Sequence, residues 1–175
     1  MKIIAFYGPQ GAGKSESAKA VASLPRWHRV SFAGPLYDMM SALLGTDARS
    51  LPKHEPLDAL CGKTLRYALQ HLGTEWGRGM VGDTVWLEAL SRRIEEHRAA
   101  GSAGVVIDDL RFANEYRLLF KMGAKIVRVE RERTMVTTMN GGHASEKDWI
   151  QFTPDTVIVN GAGVDELWTQ AKDTV

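Results

Sequence analysis

The sequence predicts a three-layer α/β fold, in which a parallel sheet of about five strands carries helices on both faces. Short apolar runs alternate with segments of helical periodicity along the whole chain. The first apolar run also passes directly into a glycine-rich loop and then into a helix. In folds of this class, ligands bind beyond the carboxyl ends of the strands, so the residues that follow the strands are the candidates for function.

Five short runs rich in apolar residues predict the strands. In chain order they are residues 3–7, 29–32, 105–107, 125–129 and 156–159. The run at 105–107 ends in two acids, Asp108 and Asp109. Because strands and helices alternate at this spacing, the sheet is predicted to be parallel.

Apolar residues at three- and four-residue spacing predict the helices. In chain order they are residues 14–23, 35–44, 64–78, 84–98, 114–122, 145–152 and 164–172. In the second helix, Leu36, Met39, Met40 and Leu43 are predicted to share one face. Residues 45–61, which contain two prolines, are predicted to be a surface excursion.

Composition limits the classes of function. The chain has 175 residues, of which 44% are hydrophobic and 25% are charged, with a formal net charge of +1. This balance gives no global basic bias toward duplex DNA or an anionic membrane. Cys61 is the only cysteine, which excludes an intramolecular disulfide and a Cys-based metal site. No segment has the apolar length of a signal peptide or a membrane span, so the predicted location is the cytoplasm.

The loop after the first strand reads GPQGAGKS and matches the phosphate-binding pattern G-x-x-x-x-G-K-[ST] in full. Gly8, Gly11 and Gly13 allow the backbone to curl so that several N–H groups point at one anion. Lys14 is suited to bridge the β- and γ-phosphates of a nucleotide, and the hydroxyl of Ser15 is suited to bind Mg²⁺. The loop alone does not separate a kinase from a GTPase or an ATPase motor.

The acids after the third predicted strand are a second candidate site. Either Asp108 or Asp109 is suited to be the carboxylate that positions Mg²⁺ in phosphate-loop enzymes. Alternation along the strand points them to opposite sides, so only one is expected to face the nucleotide. Arg111 follows and is able to grip a phosphate with two hydrogen bonds. The alternative is an N-capping aspartate with a surface arginine.

The third predicted helix carries a polar stripe beside its apolar face. The stripe comprises Arg66, Gln70, Thr74 or Glu75, and Arg78. The two arginines are suited to bind a doubly charged monophosphate. Gln70 is suited to form a hydrogen bond with the edge of a base, and the ring of Trp76 is suited to stack on a base. A solvated helix face with a core tryptophan is the alternative, and periodicity alone favours it.

A polar segment follows the fourth predicted strand. It contains Arg131 and Arg133 and ends in the sequence MNGGHASE. A glycine-hinged loop with arginines is suited to close over a γ-phosphate, and a solvated loop with a basic edge fits equally well. No nucleophile elbow precedes Ser145, so a hydrolytic triad with His143 and Glu146 is not expected.

Six segments occur here as a set: GPQGAGKS, LRYALQHLGTEWGR, VVIDDLRFANE, VRVER, HASE and IVNGAGVDEL. In this order, and over nearly the whole chain, they resemble the phage-type deoxynucleoside monophosphate kinases. The second and third segments are more specific than the phosphate loop. The resemblance implies transfer of the γ-phosphate of Mg-ATP to a deoxynucleoside monophosphate, with ADP and the deoxynucleoside diphosphate as products. The implied cofactors are ATP and Mg²⁺. The implied location is the host cytoplasm if the chain is of phage origin.

The resemblance also implies the roles of particular residues. Asp109 matches the acid of the D-x-RF pattern and is preferred to Asp108, as a ligand of the metal together with Ser15. The implied catalytic residues are Lys14, Asp109, Arg111 and Arg131. The implied acceptor-binding residues are Arg66, Gln70, Trp76, Arg78, Arg111 and Glu146. The implied donor-binding residues are Gly8, Gly11, Ala12, Gly13, Lys14, Ser15, Glu16 and Asn160, with residues 160–163 near the adenine and Arg131 and Arg133 in the lid.

The predicted organisation is a single kinase domain over residues 1–175, with an acceptor-binding helical insertion at about 34–100 and a short lid at about 130–150. Two alternatives stay open. A similar kinase for dephospho-coenzyme A or phosphomevalonate would share the phosphate loop, and an ATP-dependent switch would bind no small acceptor. The predicted partner is the small acceptor, with neither nucleic acid nor membrane. The accepted bases and the oligomeric state, a homodimer included, are left open.

Overall fold

The computed structural model describes residues 1–131, 151–161 and 163–175. The chain divides into two compact units. The sheet unit comprises Met1–Ser31 and Arg92–Val175, and the helical unit comprises Phe32–Ser91. Within the described ranges, no helix is both long enough and apolar enough to cross a membrane.

The sheet unit is built on parallel strands, which are β1 Lys2–Tyr7, β2 Trp27–Val30, β5 Gly104–Ile107, β6 Lys125–Arg131 and β7 Thr156–Asn160. These five strands pair in the order β2-β5-β1-β6-β7. The helical unit contributes a two-stranded antiparallel ribbon, formed by β3 Pro56–Leu57 and β4 Lys63–Thr64.

The helices are α1 Lys14–Ala22, α2 Gly34–Leu44, α3 Leu65–His71, α4 Val85–Ala99, α5 Ala113–Lys121 and α6 Val164–Lys172. A π-helix, Leu72–Val81, follows α3 directly. Each of these α-helices, among the residues that the structure describes, falls where the sequence predicts a helix. The predicted helix at 145–152 lies almost entirely outside the described residues.

The central strand shows why the sheet is covered on both faces. Residues 3–7 of β1 are all buried. Successive side chains of a strand point to opposite faces, so complete burial requires cover above and below the sheet. On one side, α1 packs against α6 and against the sheet, and Ala18, Val21, Leu167 and Ala171 meet the apolar strand residues there. The predicted three-layer α/β fold is confirmed.

Strand β2 begins two residues earlier than predicted, at Trp27 instead of Arg29. Its register pairs Trp27 with Gly104 and Arg29 with Val106. Trp27 is buried in the sheet-unit core, whereas His28 and Arg29 are exposed. The sequence does not predict this start, because the polar residues His28 and Arg29 follow Trp27 and interrupt the apolar pattern. Burial of the large Trp27 side chain nevertheless stabilises the strand at that position.

The core of the helical unit is a cluster of Met40, Ala48 and Leu65, with partly buried residues of α2 and α3 around it. On α2, Leu36 and Met40 are buried, but Met39 is 39% and Leu43 is 67% exposed. The four residues predicted to share one face of α2 are therefore not all buried, because the cluster is lined by Tyr37, Met40 and Leu44, an i, i+3, i+7 stripe that leaves Met39 and Leu43 outside.

The excursion at residues 45–61 is irregular, as predicted, but it is tied to this core. Ala48 is fully buried, in a 3₁₀ turn at Ala48–Ser50. Asp47 begins the turn, and its carboxylate accepts a hydrogen bond from the backbone N–H of Arg49 at 3.0 Å.

Candidate functional site

The phosphate loop joins the end of β1 to the start of α1. Gly8, Gly11 and Gly13 all have positive φ angles, of 138°, 78° and 111°. At Gly8 a Cβ atom would lie 2.2 Å from the carbonyl oxygen of Val129 in β6. Only glycine fits there, because both the backbone conformation and the close approach exclude a side chain. The loop is therefore held against the neighbouring strand by direct backbone contact.

Lys14 lies over this loop at the first position of α1. Its ammonium donates hydrogen bonds to the carbonyl oxygens of Gly8 and Pro9, at 2.8 and 2.7 Å. A helix N-terminus that carries a cation and a curl of backbone N–H groups is a site for anions. The arrangement is suited to a polyphosphate.

Asp108 connects the end of β5 to the phosphate loop. The hydroxyl of Ser15 donates a hydrogen bond to Asp108 Oδ2 at 2.7 Å. The guanidinium of Arg29 in β2 donates from Nε to Oδ1 at 3.0 Å and from Nη2 to Oδ2 at 2.6 Å. The Asp108 side chain is 4% exposed, and Asp109 is half-buried at the next position. The geometry favours Asp108 as the acid beside Ser15, whereas the resemblance favoured Asp109.

Arg111 follows at the start of α5. Its backbone N–H and that of Phe112 donate to Glu115 Oε2, at 2.9 and 3.1 Å. Glu115 is 2% exposed and lies in the first turn of the helix, where a carboxylate stabilises free backbone N–H groups. Glu115 thus fixes the backbone that carries the exposed side chain of Arg111.

A pocket of about 270 Å³ opens beside the loop, between the ends of β6 and β7 and the start of α6. Its walls include Gly11, Glu16, Arg131, Asn160 and Leu167. The amide of Asn160 donates to the carbonyl oxygen of Ala12 at 2.9 Å, so the end of β7 is bonded to the phosphate loop. Arg131 pairs with Asn160 in the last register of β6 and β7, and its Nη1 lies 3.5 Å from the carbonyl oxygen of Gly11.

The polar residues predicted on one helical stripe lie in the helical unit on two different kinds of helix. Arg66 and Gln70 are exposed on α3, whereas Trp76, 41% exposed, and the half-buried Arg78 lie on the π-helix. The backbone N–H of Gly82 donates to the carbonyl oxygen of Gly77 at 2.9 Å, an i to i+5 bond. Because the repeat changes at Leu72, the predicted stripe at constant three- and four-residue spacing is wrong beyond α3.

Comparisons with known proteins decide the family. Residues 58–171 match the family model described as deoxynucleotide monophosphate kinase. The chain belongs to this family. The kinase is also 26% identical over 189 residues to a protein of Acanthamoeba polyphaga mimivirus that carries the provisional name deoxynucleotide monophosphate kinase. That match covers 97% of this chain and 94% of the mimivirus protein.

Among solved structures, the fold is similar to that of a sugar kinase from Janibacter sp. HTCC2649 in an unliganded form, with a TM-score of 0.50 and 14% identity. The similarity covers 98% of this chain and 92% of the sugar kinase, and it supports the α/β fold alone. Family membership makes the present chain a phosphotransferase.

Two residues of this kinase that sequence analysis missed are Arg29 and Glu115. The sequence analysis places Arg29 only within a strand, and the signal available there is a long cationic side chain inside a short predicted strand. Glu115 falls within one of the segments that carry the family resemblance, and its position three residues after Phe112 is that of a helix-capping acid. Both act on candidate residues that the sequence did identify, Asp108 and Arg111.

Tyr7 ends β1 immediately before the phosphate loop of the kinase. Its hydroxyl donates to the carbonyl oxygen of Phe152 at 3.1 Å, and the two rings meet edge to face with centroids 5.5 Å apart. Burial raises the pKa of Tyr7 to about 12, against the lowering effect of Arg128. The ring of Tyr116 stacks on the ring of Phe152, with centroids 4.6 Å apart.

Three remaining candidates, Arg133, His143 and Glu146, lie outside the described residues.

Proposed function

We propose that this kinase transfers the γ-phosphate of ATP to the phosphate of a deoxynucleoside monophosphate and releases ADP and the deoxynucleoside diphosphate. The observation that carries the proposal is the hydrogen bond between Ser15 and Asp108, at 2.7 Å, beside a complete phosphate loop. In phosphate-loop enzymes this hydroxyl and a carboxylate at the end of a neighbouring strand serve the nucleotide-bound metal. Family membership supports the monophosphate acceptor.

The donor nucleotide is proposed to lie along the phosphate loop. The proposed contacts are Gly8, Gly11, Ala12, Gly13, Lys14, Ser15, Glu16 and Asn160. Support comes from the pocket beside the loop, whose lining includes Gly11, Gly13, Glu16 and Asn160. A polyphosphate along the loop would put the nucleoside end of ATP in that pocket. Arg131 also lines it, so its proposed contact is with the donor nucleotide.

The side chains near Ser15 fit a magnesium site. Mg²⁺ prefers oxygen ligands and is usually bound by one or two protein groups together with substrate phosphates. The Ser15 hydroxyl and the Asp108 carboxylate offer such oxygens, with Asp109 at the adjacent position. Among the described residues, no group of three or more His, Cys, Asp or Glu side chains is placed to hold a metal. Bound there, Mg²⁺ would neutralise charge on the β- and γ-phosphates.

The acceptor monophosphate is proposed to bind residues of the family segments. They are Arg66, Gln70, Trp76, Arg78, Arg111 and Glu146. The arginines suit the doubly charged phosphate, and Gln70 and the partly exposed ring of Trp76 suit the base. The helical unit, Phe32–Ser91, overlaps the insertion proposed at about 34–100, and the lid is proposed at about 130–150.

The proposed chemistry is a direct displacement at phosphorus. An oxygen of the acceptor phosphate forms the new bond to the γ-phosphorus, and the bond to the β–γ bridging oxygen breaks, so that ADP leaves. The acceptor oxygen is already an anion at neutral pH, and no strong base is needed. Lys14 and the arginines contribute by aligning the phosphates and neutralising their charge.

The test is a coupled assay of ADP release with Mg-ATP and a panel of acceptors. The panel contains the four deoxynucleoside monophosphates, AMP, dephospho-coenzyme A and phosphomevalonate. We expect turnover with at least one deoxynucleoside monophosphate and loss of ~100-fold or more in Lys14→Ala, as for the removal of a main charge-stabilising group. Lys19→Ala is the matched control, because Lys19 is an exposed lysine of the same helix that pairs with Glu16.

Other outcomes separate the alternatives. Turnover with only a non-nucleotide acceptor would keep the phosphate-loop kinase and refute the nucleotide acceptor. ADP release that ignores every acceptor would favour an ATP-dependent switch. In the helical unit, Arg78→Ala is expected to raise the KM for the acceptor, and Arg49→Ala is its control, because Arg49 pairs with Asp38 in the same unit.

A further inference from the structure

We infer that Arg29 is a positioning residue of the phosphate site, which acts by holding the Asp108 carboxylate and, through it, the hydroxyl of Ser15. The inference deepens the proposed function and rests on its Mg-nucleotide donor. The structure brings the three side chains together from three elements: β2, the end of β5 and the first turn of α1.

The contact between Arg29 and Asp108 is a two-point one. Nε donates to Oδ1 at 3.0 Å, and Nη2 donates to Oδ2 at 2.6 Å. Two parallel bonds from a planar guanidinium fix the plane of a carboxylate as well as its position. Arg29 pairs in register with Val106, two residues before Asp108, so its side chain reaches forward along the sheet to the carboxyl end of β5.

Asp108 Oδ2 is shared between two donors. It accepts from Arg29 Nη2 at 2.6 Å and from the Ser15 hydroxyl at 2.7 Å. A serine hydroxyl has one proton and two lone pairs. While the proton is committed to Asp108, the direction of that bond decides where the lone pairs of Ser15 point. The plane of Asp108, which Arg29 fixes, therefore sets the orientation of the proposed ligand oxygen.

Burial distinguishes this pair from an ordinary surface ion pair. The Asp108 side chain is 4% exposed, and that of Arg29 is 42% exposed. A carboxylate taken out of water requires a compensating charge, and Arg29 supplies it. By contrast, Arg98 and Glu95 in α4 form an i, i+3 pair whose side chains are 46% and 55% exposed. An exposed pair of that kind contributes little and positions nothing.

The test is calorimetric titration of the full chain with the β,γ-imido analogue of ATP, once with Mg²⁺ and once with EDTA. Arg29→Gln is expected to weaken binding in Mg²⁺ by ~10–100-fold, the usual effect of losing a group that orients a metal ligand. Binding in EDTA should change by less than about twofold, because the loop N–H groups and Lys14 remain. The matched control is Arg98→Gln, which should behave as wild type in both buffers.

Arg29→Lys separates charge from geometry and serves also if Arg29→Gln does not fold. Lysine retains the positive charge but cannot form two parallel hydrogen bonds to the carboxylate. The affinity of Arg29→Lys for the analogue in Mg²⁺ should therefore lie between those of wild type and Arg29→Gln. Equal losses with Mg²⁺ and with EDTA would show a purely structural role and overturn the inference. The inference would also be overturned if Mg²⁺ raised the affinity of Arg29→Gln for the analogue as much as that of wild type. The same holds if Mg²⁺ did not raise the affinity of wild type at all. Mg²⁺-enhanced binding without turnover of any deoxynucleoside monophosphate would refute the proposed acceptor and leave the role of Arg29 standing.

Discussion

Trp86 donates a hydrogen bond from Nε1 to the carbonyl oxygen of Gly73, at 2.8 Å, and so ties the start of α4 to the π-helix. The indole also lies against Gly77, one turn further along. Trp86 is 5% exposed, whereas Trp76, whose ring centroid is 6.2 Å away, is 41% exposed. The buried tryptophan therefore supports the segment that presents the exposed one.

The first prediction concerns Gly77. A Cβ atom there would lie 2.3 Å from Trp86 Cζ2, so Gly77→Ala must displace a buried ring or the helix. We expect a loss of ~1–3 kcal/mol in the free energy of unfolding, as for other overpacked sites. The measurement is urea denaturation followed by far-UV circular dichroism.

The matched control for Gly77→Ala is Gly79→Ala in the same π-helix. Its Cβ would meet only the Thr74 carbonyl oxygen, at an ordinary 3.5 Å. Alanine is the better helix former, so Gly79→Ala should be neutral or slightly stabilising. Equal destabilisation by the two substitutions would contradict the role assigned to Trp86.

The second prediction distinguishes the two acids after β5. Asp108→Asn should lower kcat for phosphoryl transfer by ~10–100-fold, because asparagine keeps the shape but removes the charge beside Ser15. Asp109→Asn should have the smaller effect. The measurement is the steady-state rate as a function of Mg²⁺ concentration. A larger loss in Asp109→Asn would restore the preference that the family resemblance gives.

The third prediction is a pH effect at Tyr7. Its folded-state pKa, about 12, is above the ordinary value of 10.0, so the folded state favours the neutral phenol. The resulting stability is complete below pH 10 and is lost as the pH rises toward 12. Wild type should lose up to about 2 kcal/mol more than Tyr7→Phe across that window. The measurement is urea denaturation of wild type and Tyr7→Phe at pH 8 and pH 11.5. The same loss of stability in both proteins would refute the prediction.

The fourth prediction concerns His97, whose ring stacks on that of His28 with centroids 4.4 Å apart. Burial lowers the pKa of His97, and His28 and Arg93 lower it further against the opposing effect of Glu96. The neutral ring is thus favoured in the folded state. This contribution to stability is present above the unfolded-state pKa of 6.5 and is lost as the pH falls through the lowered folded value.

The melting temperature of His97→Gln should therefore fall less between pH 7 and pH 5 than that of wild type. The exposed His54, in the helical unit, provides the control as His54→Gln, which should retain the wild-type dependence. A His97→Gln variant that loses stability in acid as steeply as wild type would contradict the assignment.

Much of the sheet and the phosphate loop could be predicted because local signals and the fold agree there. Residues 3–7 are apolar, short and followed by glycines, and the structure places β1 at the centre of the sheet. The helix predicted at 164–172 has the bounds of α6. In these segments, the apolar pattern, its length and the flanking residues all indicate the same kind of element.

The rest depends on contacts between residues distant in sequence. The change to a π-helix after His71 accompanies the contact of Trp86 with Gly73 and Gly77, which periodicity within the segment does not contain. In the same way, alternation along β5 shows that Asp108 and Asp109 point apart, but only the pairing of β2 with β5 shows that Arg29 meets Asp108. Strand order therefore decides which of the two acids Arg29 contacts.

Cys61 gives this kinase a useful experimental handle. It is the only cysteine of the chain, it is exposed, and it lies in the helical unit between a 3₁₀ turn at Asp58–Leu60 and β4. A maleimide dye added to the wild-type protein will therefore attach at one known position, without the removal of other thiols. Fluorescence from that dye would report changes in the surroundings of Cys61, while the tryptophans remain available as energy donors.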